Sequence, residues 1–89
     1  MLGIIYHNQF EKDIKRTKKR GKDLHKLKII IQSLVAKEQL PVKYRDHPLK
    51  ENYKDSRECH IEPDWLLIYK ITDSAIILER TGTHSDLFK

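Results

Sequence analysis

Three of the five histidines in this 89-residue chain stand in settings where an imidazole could do chemistry. His47 sits in Tyr44-Arg45-Asp46-His47-Pro48-Leu49, His60 precedes Asp64 by four residues, and His84 follows Gly82-Thr83. Imidazoles titrate near pH ~6.5, so each can give or take a proton at neutral pH. RNA cleavage needs little more than that, because RNA carries its own nucleophile in the ribose 2′-hydroxyl. A base must take that proton, an acid must protonate the departing 5′-oxygen, and a cation must offset charge on the phosphorane. Asp64 could orient and tune one imidazole, and Arg80 or Arg57 could supply the fixed charge. The same His/His/His/Asp set also suits a metal ion, although its spacing lacks the short repeats of common metal sites. Histidines scattered over a surface are the third reading, and spacing alone leaves all three open.

The elements that must position these residues follow from patterning. Residues 2–6 read as a short strand. Asn8 with Glu11 reads as a helix start, Phe10 and Ile14 mark its apolar face, and Gly21 is its natural left-handed stop. Leu24, Leu27, Ile30, Ile31, Leu34 and Val35 follow the helical period and predict a second helix over 22–38. Residues 41–56 read as a long, mostly irregular connection carrying His47. Three strands follow, at 57–62, 65–71 and 75–81, separated by Pro63-Asp64 and Thr72-Asp73-Ser74. Alternation puts Arg57, Cys59 and Ile61 on one side of the first of these, and Glu58, His60 and Glu62 on the other. The expectation is a single α+β domain over 1–89, β-α-α-β-β-β, with an antiparallel sheet and a two-helix hairpin packed on one face. His7 and His25 are assigned to structure or surface.

Charge is concentrated rather than general. The net charge is +5, yet Lys15, Arg16, Lys18, Lys19, Arg20, Lys22, Lys26 and Lys28 stand against one acid, Asp23, in a window of charge +7. The rest of the chain is therefore slightly acidic. Such clustering is the footprint of a polyanion binder or a solvated helix face. One cysteine, Cys59, cannot form an intrachain disulfide, and neither a membrane span nor an apolar leader is evident. A cytoplasmic protein is expected.

Three segments carry a resemblance: residues 44–49, residues 60–70 (His-Ile-Glu-Pro-Asp-Trp-Leu-Leu-Ile-Tyr-Lys) and residues 79–88 (Glu-Arg-Thr-Gly-Thr-His-Ser-Asp-Leu-Phe). They resemble the YafQ branch of the RelE/ParE toxin superfamily, and the likeness runs from the first helix to the last residues. It implies a RelE-like fold and a ribosome-dependent mRNA interferase that cuts message in the ribosomal A site without a metal or other cofactor. The implied partners are the ribosome, mRNA and a cognate, acidic antitoxin encoded nearby. Carried over motif by motif, the functional residues are His47, His60, Asp64 and His84, with Phe88 beside the substrate. ParE-type proteins lack this histidine set, and RelE proper relies more on Lys, Arg and Tyr. The resemblance gives residues 15–28 the task of docking on ribosomal RNA.

Within that frame His84 is expected as general acid, His60 with Asp64 as the base side, and His47 on the phosphate or sharing the proton transfer. The alternatives are a non-catalytic basic nucleic-acid-binding module and a His/Asp metal-dependent nuclease.

Overall fold

The computed structural model describes residues 2–49 and 55–88. Strand β1 (Gly3–Tyr6) leads into helices α1 (Asn8–Lys19) and α2 (Leu24–Val35). A 3-10 turn (Val42–Tyr44) then precedes β2 (His47–Pro48), β3 (Arg57–Glu62), β4 (Trp65–Ile71), β5 (Ala75–Gly82) and a one-turn helix α3 (His84–Leu87). Gly21 takes a φ of 78°, as a stop between two helices requires. Asp23 caps α2 by accepting from the His25 amide, so that helix starts after Lys22 rather than at it. Asn8 is itself helical and His7 holds the cap position without a side-chain bond, so the Asn8 cap expected from sequence is not formed.

The sheet runs β1-β5-β4-β3-β2. The α+β layout with two helices on a sheet is as expected, but the sheet is mixed: β1 pairs with β5 in parallel. Nothing local in Gly3–Tyr6 encodes which strand it will meet. The β3–β4 and β4–β5 pairs form the antiparallel meander. Residues 41–56 are less irregular than expected, since the 3-10 turn and β2 both fall there.

The sheet has two faces with different cover. Phe10, Leu27, Ile30 and Leu34 from the helices pack on Cys59, Ile61, Trp65, Leu67, Tyr69, Ile76 and Leu78. On the opposite face Leu66 and Ile68 are covered by Leu87 of α3, with Leu49 packed against them.

Two β-bulges decide which side chains reach that second face. In β3 the register shifts between His60, paired with Leu66, and Glu62, paired with Trp65. Cross-strand partners share a face, so Glu62 turns to the helix side instead of joining Glu58 and His60. In β5, Leu78 pairs with Tyr69 but Arg80 pairs with Ile68. The extra residue, Glu79, carries Arg80 from the helix side to the face of Ile68 and His60.

Candidate active site

β3 supplies the centre. Glu58 and His60 project from the face opposite the helices, and β2 brings His47 directly across from Glu58. His47 Nε2 lies 2.9 Å from Glu58 Oε2, and its Nδ1 lies 3.1 Å from the Pro48 carbonyl. Both ring nitrogens therefore face oxygen atoms of neighbouring residues. Glu58 is buried, so His47 is the partner that makes a carboxylate tolerable there.

His60 lies between the other two histidines. Its ring centroid is 6.4 Å from that of His47 and 5.7 Å from that of His84. Three imidazoles thus form a row along one sheet face, from β2 across β3 to α3.

The position of His84 is set by α3 and by the β3–β4 turn. Thr83 caps α3: its side chain accepts from the Asp86 amide, and Asp86 returns a bond to the Thr83 amide. The first helical residue, His84, then meets Asp64 twice. Its backbone amide donates to Asp64 Oδ1 at 2.9 Å and its Nδ1 lies 2.6 Å from the same oxygen. The backbone bond from His84, followed by the side-chain one, lowers the Asp64 carboxyl below its ordinary value. Asp64 accordingly serves His84, not His60 as expected from sequence. With Nδ1 turned to Asp64, Nε2 is the ring nitrogen of His84 that Asp64 does not engage.

The basic hairpin braces these two elements. Arg20 grips Asp86 through both Nη atoms, at 2.6 and 3.2 Å, and Arg16 lies 3.6 Å from it. The Arg20 guanidinium holds the Asp86 carboxyl well below the usual carboxylate range. Lys22 and Lys26 each lie 2.9 Å from Glu62, beside the turn that carries Asp64. A Cβ on Gly82 would lie 2.8 Å from Asp86 Oδ2 and 3.1 Å from Arg16 Nη2, so this seat needs glycine. Four of the eight cations expected to dock on RNA are therefore engaged within the protein. Lys15, Lys18, Lys19 and Lys28 are exposed on the hairpin and make no ion pair among the described residues.

The two expected arginines differ. Arg57 belongs to the helix-side alternation of β3, where it donates to Asp46 at 3.2 Å. The Tyr69 hydroxyl donates to the same Asp46 oxygen at 2.5 Å. Arg57 is therefore turned away from the histidine row and does not join it. Arg80 is on the histidine face at its far edge, oriented by Asp13 through Nε at 2.7 Å and Nη2 at 3.3 Å. Asp13 is fully buried and also accepts from Arg16 and from the Thr81 amide. Phe88 ends α3 one turn after His84 and is 41% exposed. Cys59, in the core below, is no nucleophile, since burial pushes its thiol up to about 12.

Glu58 and Asp13 were not singled out from sequence. Alternation had already placed Glu58 beside His60, and a carboxylate two residues before a candidate histidine on the same face was the available signal. Asp13 offered none, because its partners lie far along the chain.

Comparison with known proteins identifies the family. Residues 2–89 match the model of a family described as the bacterial toxin of the type II toxin–antitoxin system, YafQ. The chain belongs to that family. A relative from Escherichia coli (strain B / BL21-DE3), the mRNA interferase toxin YafQ, is 50% identical over 86 residues, covering 96% of this chain and 94% of the relative. The structure superposes on YafQ from the crystal structure of the E. coli DinJ–YafQ complex with a TM-score of 0.92, 48% identity and full coverage of both chains. It also superposes on a metal-bound toxin from Helicobacter pylori with a TM-score of 0.92 and 44% identity, covering 99% of this chain and all of that one.

Proposed function

We propose that this protein is a cytoplasmic mRNA interferase restrained by a cognate antitoxin, cutting ribosome-bound message by acid–base attack of the 2′-hydroxyl. The observation that carries the reading is the row of three imidazoles with Asp64 fixed on His84. Its support is the family itself: a relative is named an mRNA interferase toxin, and E. coli YafQ was crystallised in a toxin–antitoxin complex. His60 takes the 2′-hydroxyl proton, the 2′-oxygen attacks phosphorus, and the bond from phosphorus to the 5′-oxygen breaks. His84 delivers a proton from Nε2 to that oxygen, leaving a 2′,3′-cyclic phosphate and a 5′-hydroxyl. Arg80 stands at the edge of the same face to offset phosphorane charge, while His47 and Glu58 hold the β2 side of the row in place.

Expression of the wild type without antitoxin is expected to arrest growth, and toeprinting on translating ribosomes to show cuts; His84→Ala should do neither. A wild type that binds ribosomes without cutting message would overturn the reading in favour of a binding module.

A metal ion is the second reading, favoured by one observation. His47, Glu58 and His60 each offer a donor atom, and these atoms lie within 4.8 Å of one another. This set differs from the one the sequence suggested, since His84 and Asp64 are committed to each other. Imidazole and carboxylate donors suit zinc or copper, and a bound ion would supply Lewis-acid polarisation of the phosphate. Cleavage that survives EDTA supports the acid–base reading; cleavage abolished by EDTA and restored by zinc supports the metal.

A further inference from the structure

A groove of about 430 Å3 opens beside His60, between α2, the 3-10 turn and β3, within the usual size of a small-molecule site. We propose that it is a subsite for message, holding the nucleotide next to the scissile phosphate; this rests on the ribonuclease reading above. β2 pairs only with Arg57 and Glu58, so among the described residues the edge of β3 beyond Glu58 has no strand beside it. The groove runs along that edge, with His60 forming part of its wall. The groove lies on the α2 side of that edge and the His60 side chain on the other, so a chain passing round the open edge would reach from one to the other.

The lining has the two characters that a nucleotide requires. Ile29, Tyr44 and Pro63 provide an apolar surface for a base, while Lys43 and Arg45 bring positive charge. Lys26 also lines the groove, but its charge is taken by Glu62. Lys43 and Arg45 have no carboxylate partner among the described residues, and the Lys43 Nζ instead sits 5.1 Å from the centroid of the Tyr44 ring. Two cations without a carboxylate partner among the described residues, in a groove bordered by the strand that bears His60, favour a phosphate.

Backbone conformation at the groove is consistent with a built site. Arg45 adopts φ 49°, the left-handed region that non-glycine residues seldom occupy, and its amide donates to the Val42 carbonyl at 3.0 Å. This conformation closes the 3-10 turn and sets Arg45 two residues before His47. The side chains that would hold a neighbouring phosphate and His47, at one end of the row, thus lie on one short segment.

The test is a cycle on ribosomes programmed with synthetic messages, in single turnover. Messages carry an uncharged methylphosphonate linkage on one side or the other of the scissile phosphodiester. For wild type, one of the two substitutions should raise the half-saturating toxin concentration roughly tenfold, the worth of one charge-assisted contact. The Lys43→Ala/Arg45→Ala protein should show that loss on the unmodified message and no further loss on the substituted one, with its saturating rate and pH profile unchanged. Additive losses would place these cations on ribosomal RNA instead, and an unaffected double variant would leave the groove without a role. Either result overturns the subsite while the wild type still cuts; a wild type that fails to cut unmodified message overturns the ribonuclease reading.

Discussion

Asp64 meets His84 through both its backbone amide and its Nδ1, at 2.9 and 2.6 Å to a single carboxylate oxygen. One atom thereby fixes where α3 begins and which way its first imidazole faces. Asp64→Asn keeps the shape but presents a neutral amide, which can offer its nitrogen to Nδ1 and select the wrong tautomer. The cleavage rate on programmed ribosomes should fall by about 10²-fold or more, within the range of general acid–base contributions, with little change in half-saturation. A loss confined to half-saturation would place Asp64 in binding rather than in proton transfer.

Acid should loosen the brace around this pair before it affects the core. Asp86, Glu62 and Asp64 all have carboxyls lowered by their partners in the folded protein, Arg20 for Asp86 and Lys22 then Lys26 for Glu62. A group lowered on folding contributes stability that is complete above its unfolded value, near pH ~4, and fades as pH falls through the folded value. Asp86→Asn should therefore lower the melting temperature at pH 7, and the difference from wild type should shrink steadily between about pH 5 and 2. A difference that stays constant over that span would mean that Asp86 acts through shape alone. High salt should also narrow it, because the Arg20 side chain is 40% exposed.

Periodicity found most elements because each is written locally: Leu27, Ile30 and Leu34 mark α2, and the apolar run at Trp65–Ile71 marks β4. The histidine row was legible as a set through its motifs, but its pairing was not. Alternation carried past Ile61 puts Glu62 on the wrong face, because a bulge costs one residue and leaves no mark in composition. The partner of Asp64 was misread for a related reason. His60 is nearer in sequence, while His84 reaches Asp64 only because β4 and β5 return the chain to the same end of the sheet. Half of the basic hairpin changed meaning likewise, since Asp86 and Glu62 come to it from distant segments.

Asp13 joins α1 to β5 and should be the most costly acid to neutralise. It is 0% exposed and accepts from Arg80, Arg16 and the Thr81 amide. Asn at this position would keep one acceptor but turn an amide NH2 toward two guanidinium groups. Both arginines retain some contact with water, which moderates the loss, so about 2–3 kcal/mol is expected from urea unfolding. Because Asp13 orients Arg80, the folded variant should also cleave more slowly. Unchanged stability would show that solvent replaces the carboxylate without cost.

Trp65 follows Asp64 directly and anchors the turn that carries it. Its indole is 2% exposed, and Nε1 donates to Thr81 Oγ1 at 3.0 Å, while that hydroxyl donates to the Leu66 carbonyl at 2.7 Å. Trp65→Phe removes the donor and part of the ring volume, leaving Thr81 Oγ1 with its outgoing bond but nothing to accept. The expected cost is about 1–3 kcal/mol, read as a lower urea midpoint at unchanged slope. Thr81→Val removes the same bond from the other side, so the two changes should be less than additive when combined. Full additivity would mean that burial of the ring, not its bond to β5, holds the start of β4 and with it the turn bearing Asp64.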